Sequence, residues 1–238
     1  MNKAIIGVPL RSDKDDLQRC HEYIFDSVRH AIIKSGGFVM PINPVQDLNY
    51  FDIKFKDWPE LTDEEKDDID YSLSLIDGLF IPGGNKFSPY DRYLLDRAIE
   101  LKIPILGVCL GMQIMSCYKQ DYYVNKIESN IEHRNLTERY VHKVTIDKDS
   151  TLYKILGKEE IKVNSLHTYG ATENHIFTSI AYSEDGILEA VELPGDVFCM
   201  GVQWHPEKMI DYDEDAEKIM RYFIDECYRK KHKKSVDK

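Results

Sequence analysis

An apolar run, Ile105-Leu106-Gly107-Val108, leads into Cys109-Leu110-Gly111-Met112-Gln113. Glycines stand two residues either side of the cysteine and a helical pattern follows directly. This is the G-x-S-x-G nucleophile elbow with sulfur in place of oxygen. A strand-to-helix turn this tight forces neighbouring side chains together, and glycine on both flanks removes the Cβ atoms that would collide. Cys109 then stands at a helix N-terminus, where the dipole favours an anion and the backbone N–H of Leu110 can donate to a developing oxyanion. The chemistry on offer is thiolate attack on a carbonyl. A buried structural role is the alternative for any cysteine, and it is the one expected for Cys20, Cys117, Cys199 and Cys227.

A nucleophile of this kind needs a base. Gly201-Val202-Gln203-Trp204-His205-Pro206-Glu207 closes a strand pattern. Pro206 biases His205 towards extended backbone, in which residues two apart share a face. Glu207 can then bond Nδ1 of His205 and leave Nε2 to take the proton of Cys109. A His-x-Glu pair could also be half of a metal site. No further His or Cys lies at zinc spacing along the chain, so neither metal nor cofactor is expected. His21, His30, His133, His142, His175 and His232 have no pairing readable from spacing.

The elements that must position these groups are legible as pattern. Ala4 to Val8, Phe38 to Pro41, Gly78 to Ile81 and Ile103 to Val108 read as short buried strands. Between them lie a helical period from Tyr23 to Ile33, closed by Gly36-Gly37, and a helix over Tyr90 to Lys102. In the acidic stretch Asp57 to Asp70, a solvated helix face, Thr62 and Glu65 stand at capping-box spacing. Such alternation predicts right-handed βαβ crossovers and a parallel sheet covered on both faces, with ligands at the carboxyl ends of the strands. The second half is strand-rich: Tyr140 to Asp147, Ile161 to Asn164, Ile176 to Ser183, Gly186 to Leu193 and Val197 to Gln203. Asp213 to Lys230 reads as a final amphipathic helix, followed by a basic, solvated tail over residues 229–238.

Bulk properties narrow the function. The chain has 238 residues, enough to build a core without disulfides or metal. Asp and Glu number 42 against 31 Lys and Arg, and a net charge of -11 disfavours a nucleic acid partner. No apolar stretch approaches a membrane span, and Met1 to Leu10 lacks the basic start and cleavage site of a signal peptide. Five cysteines without C-x-x-C spacing suit a reducing compartment, so a cytoplasmic, single-domain protein is expected.

The two motifs together, Gly107-Val108-Cys109-Leu110-Gly111-Met112-Gln113 and Gly201 to Glu207, resemble the class I glutamine amidotransferase signature. Val163-Asn164-Ser165-Leu166-His167, with Asp185-Gly186 and Glu189-Ala190-Val191-Glu192, resembles the γ-glutamyl hydrolase (peptidase C26-like) branch. That branch includes γ-glutamyl-γ-aminobutyrate hydrolases. The resemblance runs from about Ile5 to Glu207 and implies a flavodoxin-like open α/β sheet, mostly parallel with antiparallel additions. It implies a Cys109, His205, Glu207 triad and oxyanion donors at Gly84 and Leu110. Gln113 would line the γ-amide pocket, while Ser165 and His167 would hold the α-amino and α-carboxylate groups of a small-molecule γ-glutamyl substrate. The sequence departs from the pattern at Leu110, at Gln120-Asp121, at Asn125-Lys126 and at Tyr169, which bears on the shape of the pocket and the leaving amine. Three activities compete on this footing: a stand-alone γ-glutamyl amide hydrolase, a glutaminase feeding ammonia to a synthetase partner, and a non-catalytic binding module.

Overall fold

The structure is a computed structural model that describes residues 3–48, 52–53, 57–120 and 124–236. In chain order the elements are β1 (Ile5–Pro9), β2 (Arg11–Lys14), β3 (Cys20–Tyr23), α1 (Asp26–Lys34), β4 (Phe38–Ile42), α2 (Asp63–Ser74) and β5 (Gly78–Ile81). They continue with α3 (Pro89–Glu100), β6 (Ile105–Val108), α4 (Leu110–Ser116), β7 (Val124–Lys126), β8 (His142–Ile146), α5 (Thr151–Leu156), β9 (Glu160–Val163) and β10 (Tyr169–Ala171). Last come β11 (Thr178–Ser183), β12 (Leu188–Glu192), β13 (Cys199–Val202), α6 (Pro206–Met209) and α7 (Glu214–Val236).

Nine strands form one mixed sheet in the order β4-β1-β5-β6-β13-β12-β11-β8-β9. The first five run parallel, and β13 through β9 pair antiparallel. Taken alone, the parallel half has the flavodoxin-like order 2-1-3-4-5. Because side chains alternate along a strand, each strand feeds two cores. Ile6, Phe80, Leu106 and Val108 pack with α1, α5 and α7 on one face. Leu79, Ile81 and Ile105 pack with α2, α3 and α4 on the other. The predicted α/β class and both helical layers are therefore observed.

Differences from the sequence reading have local causes. Residues 11–14 and 20–23 form an antiparallel hairpin, β2–β3, whose polar sequence carries no alternating apolar pattern, so the helix expected from Tyr23 starts only at Asp26. The six-residue α5 is held by caps, Ser150 accepting from Tyr153 N and Gly157 in the left-handed region, rather than by a long apolar period. The expected capping box at Thr62 and Glu65 is present, with Thr62 N donating to Glu65 at 2.7 Å.

At the C-terminus the basic cluster Arg229 to Lys234 is not a tail beyond the helix. α7 continues through Val236, and only residues 237–238 lie outside the described part. Lys230 donates to the Leu101 carbonyl at 2.9 Å and Lys231 lies 3.3 Å from the Asp77 carboxylate, so these cations tie the helix to the body. The stripe Ala216, Ile219, Met220, Phe223, Ile224 and Cys227 is buried, each large apolar member contributing roughly 1.5–3 kcal/mol.

Candidate active site

Three neighbouring strands end at the same place. β5 runs into the turn Pro82-Gly83-Gly84, β6 into Cys109 and β13 towards His205. Cys109 has φ 53° and ψ -104°, a strained conformation for a side chain that is not glycine, and it is the residue before α4. Two bonds hold the strain: Cys109 N donates to Val202 O at 2.8 Å, and Cys109 O accepts from Gln113 N at 3.0 Å. The elbow needs its glycine: a Cβ on Gly111 would lie 2.2 Å from the Ile81 carbonyl oxygen.

His205 Nδ1 is 2.7 Å from Glu207 Oε1, and the Cys109 sulfur lies near enough to the ring to raise its pKa. Both His205 and Glu207 are buried. The route to this contact differs from the expected extended segment. His205 caps α6, Pro206 takes the first helical position and Glu207 sits in the first turn. Burial alone would lower the imidazole pKa, but Glu207 and the Cys109 sulfur outweigh it and push His205 up to about 10. Asn164 bonds both the N–H and the carbonyl of His205, which fixes the ring's starting point.

The glycine turn lies against this pair, since a Cβ on Gly83 would be 2.9 Å from His205 Cε1 and 3.4 Å from Cys109 Cβ. Its shape is set by Arg11, a residue that spacing along the chain does not single out. The buried guanidinium donates to Pro82 O at 2.9 Å and Gly83 O at 3.3 Å, and pairs with Asp91 at 2.7 Å. Leu110 opens α4, so its N–H is among the first-turn donors that have no acceptor within the helix.

A cleft of roughly 400 Å³ opens over Cys109, bounded by Gly84, Leu110, Gln113, Arg134, Leu166 and Tyr169. Gln113 is buried at its floor, where Nε2 donates to Tyr169 O at 2.9 Å and to Gln203 Oε1 at 3.2 Å. The two expected substrate-binding residues are placed differently by the fold. Ser165 has no exposed surface and its hydroxyl donates to His133 O at 2.6 Å, so it braces the cleft wall instead of facing the cleft. His167 borders the cleft, but Nδ1 faces Tyr169 O at 3.2 Å and Nε2 turns towards Glu189 at 3.6 Å. Arg134, exposed on the cleft wall, is the cation that the sequence reading missed.

Two of the departures from the family pattern, Asn125-Lys126 and Tyr169, meet in space. Lys126 pairs with Tyr169, and Asn125 with Gly170, where β7 and β10 form a two-stranded flap beside the cleft. Gln120 lies apart, bonding Ser116 O at 2.9 Å, and Asp121 is outside the described residues. Burial raises the Cys199 and Cys227 thiols, in keeping with structural roles, whereas Cys20 is exposed on β3. No described helix is long and apolar enough to cross a membrane.

Comparison with known proteins places the chain in a family. The Peptidase C26 family matches residues 89–207, the stretch that carries Cys109, His205 and Glu207. A glutamine amidotransferase-type protein of Schizosaccharomyces pombe is 31% identical over 176 residues, covering 63% of this chain and 69% of the relative. The gamma-glutamyl-gamma-aminobutyrate hydrolase of Escherichia coli O157:H7 is 27% identical over 170 residues, covering 58% of this chain and 67% of the relative. Among solved structures, the glutaminase domain of Trypanosoma brucei CTPS with bound acivicin shares the fold, with a TM-score of 0.66 at 19% identity over 95% of this chain and 94% of that one. The chain belongs to the Peptidase C26 family of glutamine amidotransferase-like proteins.

Proposed function

We propose that the protein hydrolyses the γ-glutamyl amide bond of a small γ-glutamyl compound through a glutamyl thioester on Cys109. The observation that carries this reading is the single imidazole of His205, bonded to Glu207 at 2.7 Å and packed with Cys109 against Gly83, where Cys109 lines an open cleft. The sulfur attacks the γ-carbonyl carbon. N–H groups of Leu110 and Gly84 receive the oxyanion, each such donor lowering the barrier by roughly 3–4 kcal/mol. His205, held protonated by Glu207, gives its proton to the departing amine as the C–N bond breaks. Water then enters, loses a proton to the same ring and releases glutamate from the thioester.

Recognition of the glutamyl group follows from the cleft walls. Gln113 reaches the floor beside Cys109, and Arg134 offers its guanidinium to the α-carboxylate. The cleft volume of about 400 Å³ falls within the roughly 300–1,000 Å³ range of small-molecule sites. These features support a leaving group larger than ammonia. The test is glutamate release from glutamine and from a panel of γ-glutamyl amines, using wild type and Cys109→Ala. Release by wild type alone, faster from an amine conjugate than from glutamine, is the expected result.

The second reading is a glutaminase that passes ammonia to a synthetase partner. It has one observation in its favour, a 33% identical stretch in the GMP synthase of Dictyostelium discoideum, although this chain covers 22% of that protein. That reading expects glutamine to be the preferred substrate and release to rise when the partner is added.

A further inference from the structure

Spacing along the chain gives no metal site, but the fold builds a cluster that spacing cannot reveal. His133 in the segment after β7, His142 at the start of β8, His167 ahead of β10 and Glu189 in β12 place one ligand atom each within 4.8 Å of one another. All four side chains are buried, the exposure of each residue being 4% or less. Glu189 Oε1 lies 3.6 Å from His133 Nδ1, 3.5 Å from His142 Nε2 and 3.6 Å from His167 Nε2. These separations are too long for hydrogen bonds. Accordingly those three ring nitrogens and both Glu189 oxygens have no hydrogen-bond partner.

The outer ring nitrogens explain the pattern. His133 Nε2 meets Asp185 Oδ2 at 2.9 Å, His142 Nδ1 meets Lys143 O at 3.2 Å, and His167 Nδ1 meets Tyr169 O at 3.2 Å. Each partner is an acceptor, so each neutral imidazole carries its hydrogen on the outer nitrogen and turns a lone pair inward. Three lone pairs and a carboxylate then face one another with no donor between them. Such an arrangement repels itself unless a cation sits at its centre. Bonds of about 2.0–2.1 Å in a tetrahedral site imply ligand–ligand separations near 3.4 Å, close to the three measured from Glu189 Oε1, and the wider pairs, within 4.8 Å, would draw in around an ion. A carboxylate and backbone carbonyls on the outer nitrogens are the shell that orients metal-bound imidazoles.

We propose that His133, His142, His167 and Glu189 form a structural site for a divalent transition-metal ion, with zinc the best fit to three imidazoles and one carboxylate. The negative charges of Glu189 and Asp185 balance those of the ion. All four positions are taken by protein, so the site is closed and does not activate water. Its work is mechanical: it ties the cleft wall that holds Arg134 and Tyr169 to strands β8 and β12 of the main sheet.

The experiment uses the full chain, purified without a polyhistidine tag, and measures metal content by plasma mass spectrometry after dialysis. Wild type and Cys109→Ala are both expected to hold about one zinc per chain, and His142→Ala at least tenfold less. Asp185→Asn, which leaves the four ligands in place, is expected to weaken zinc affinity about 10- to 100-fold. Chelator-treated wild type supplies a readout that does not depend on variants folding. Adding zinc should raise its melting temperature, and adding cobalt should give the visible absorption of a tetrahedral ion. Wild type that holds no metal after incubation with zinc or cobalt, and shows no thermal shift, overturns the proposal. So does zinc that is lost on Cys109→Ala but kept on His142→Ala, since the ion would then sit on the nucleophile.

Discussion

Asn164 and His205 bond each other twice across the sheet, the amide donating to the His205 carbonyl at 3.0 Å and its oxygen accepting from the His205 N–H at 2.8 Å. This reciprocal pair fixes the main chain of His205 and leaves only the ring torsions to be set by Glu207. The asparagine of the Val163 to His167 motif thus acts on the reacting group through the backbone.

Asn164→Ala should leave the buried His205 N–H unpaired and its carbonyl with only the Lys208 N–H, and the unpaired group costs about 1–3 kcal/mol of stability. Loss of the clamp should lower kcat for amide hydrolysis more than it raises KM. Steady-state kinetics beside a denaturant melt check both effects, and unchanged kcat would remove the positioning role.

Glu207→Gln keeps the shape of the site and removes the charge that raises the His205 pKa. In wild type the imidazolium is present below about 10, so activity should fall on the alkaline side as pH rises through that value. The variant should lose roughly 10²- to 10⁴-fold in kcat, by analogy with removal of the third triad member elsewhere. Its alkaline limb should move to lower pH, because only the Cys109 sulfur then offsets burial. The linked stability term has the same sign. The raised pKa stabilises the fold fully below the ordinary histidine value near 6.5, and this is lost as pH rises through about 10.

Arg11→Met should strand a buried Asp91 carboxylate and release the carbonyls of Pro82 and Gly83. Breaking such a pair from one side costs about 3–5 kcal/mol. The double variant Arg11→Met, Asp91→Leu should recover much of that stability without recovering kcat, because the oxyanion turn remains unpinned. Thermal melts and initial rates on the same preparations separate the two effects.

Gly111→Ala brings a methyl against the Ile81 carbonyl, where the space is 2.2 Å. Strand β5 or helix α4 must shift, so the melting temperature and the activity should fall together. Retained activity at wild-type stability would mean that the elbow is looser than its geometry states.

What the sequence made legible was local. The elbow around Cys109 and the His205-Pro206-Glu207 run are contiguous, and their glycines and proline announce backbone geometry directly. The parallel strands were readable because they are short, apolar and bounded by turns. Arg11 and Asp91 stand 80 residues apart and carry no motif, so only the fold reveals their partnership. The histidine cluster draws on four separate segments for the same reason. The orientation of Ser165 was not legible because a motif gives a residue's position in the chain but not the face it presents, and here the hydroxyl turns to His133 O. The β2–β3 hairpin escaped notice because its strands are polar, without the apolar alternation that marks a half-buried strand.

The most direct test of the central claim is intact-protein mass spectrometry of acid-quenched enzyme during turnover of a γ-glutamyl amide. The account predicts a single added glutamyl acyl group that maps to the Cys109 peptide, is released by hydroxylamine and is absent from Cys109→Ala. Continued glutamate release by Cys109→Ala, with no acyl group on any cysteine of the wild type, would contradict it.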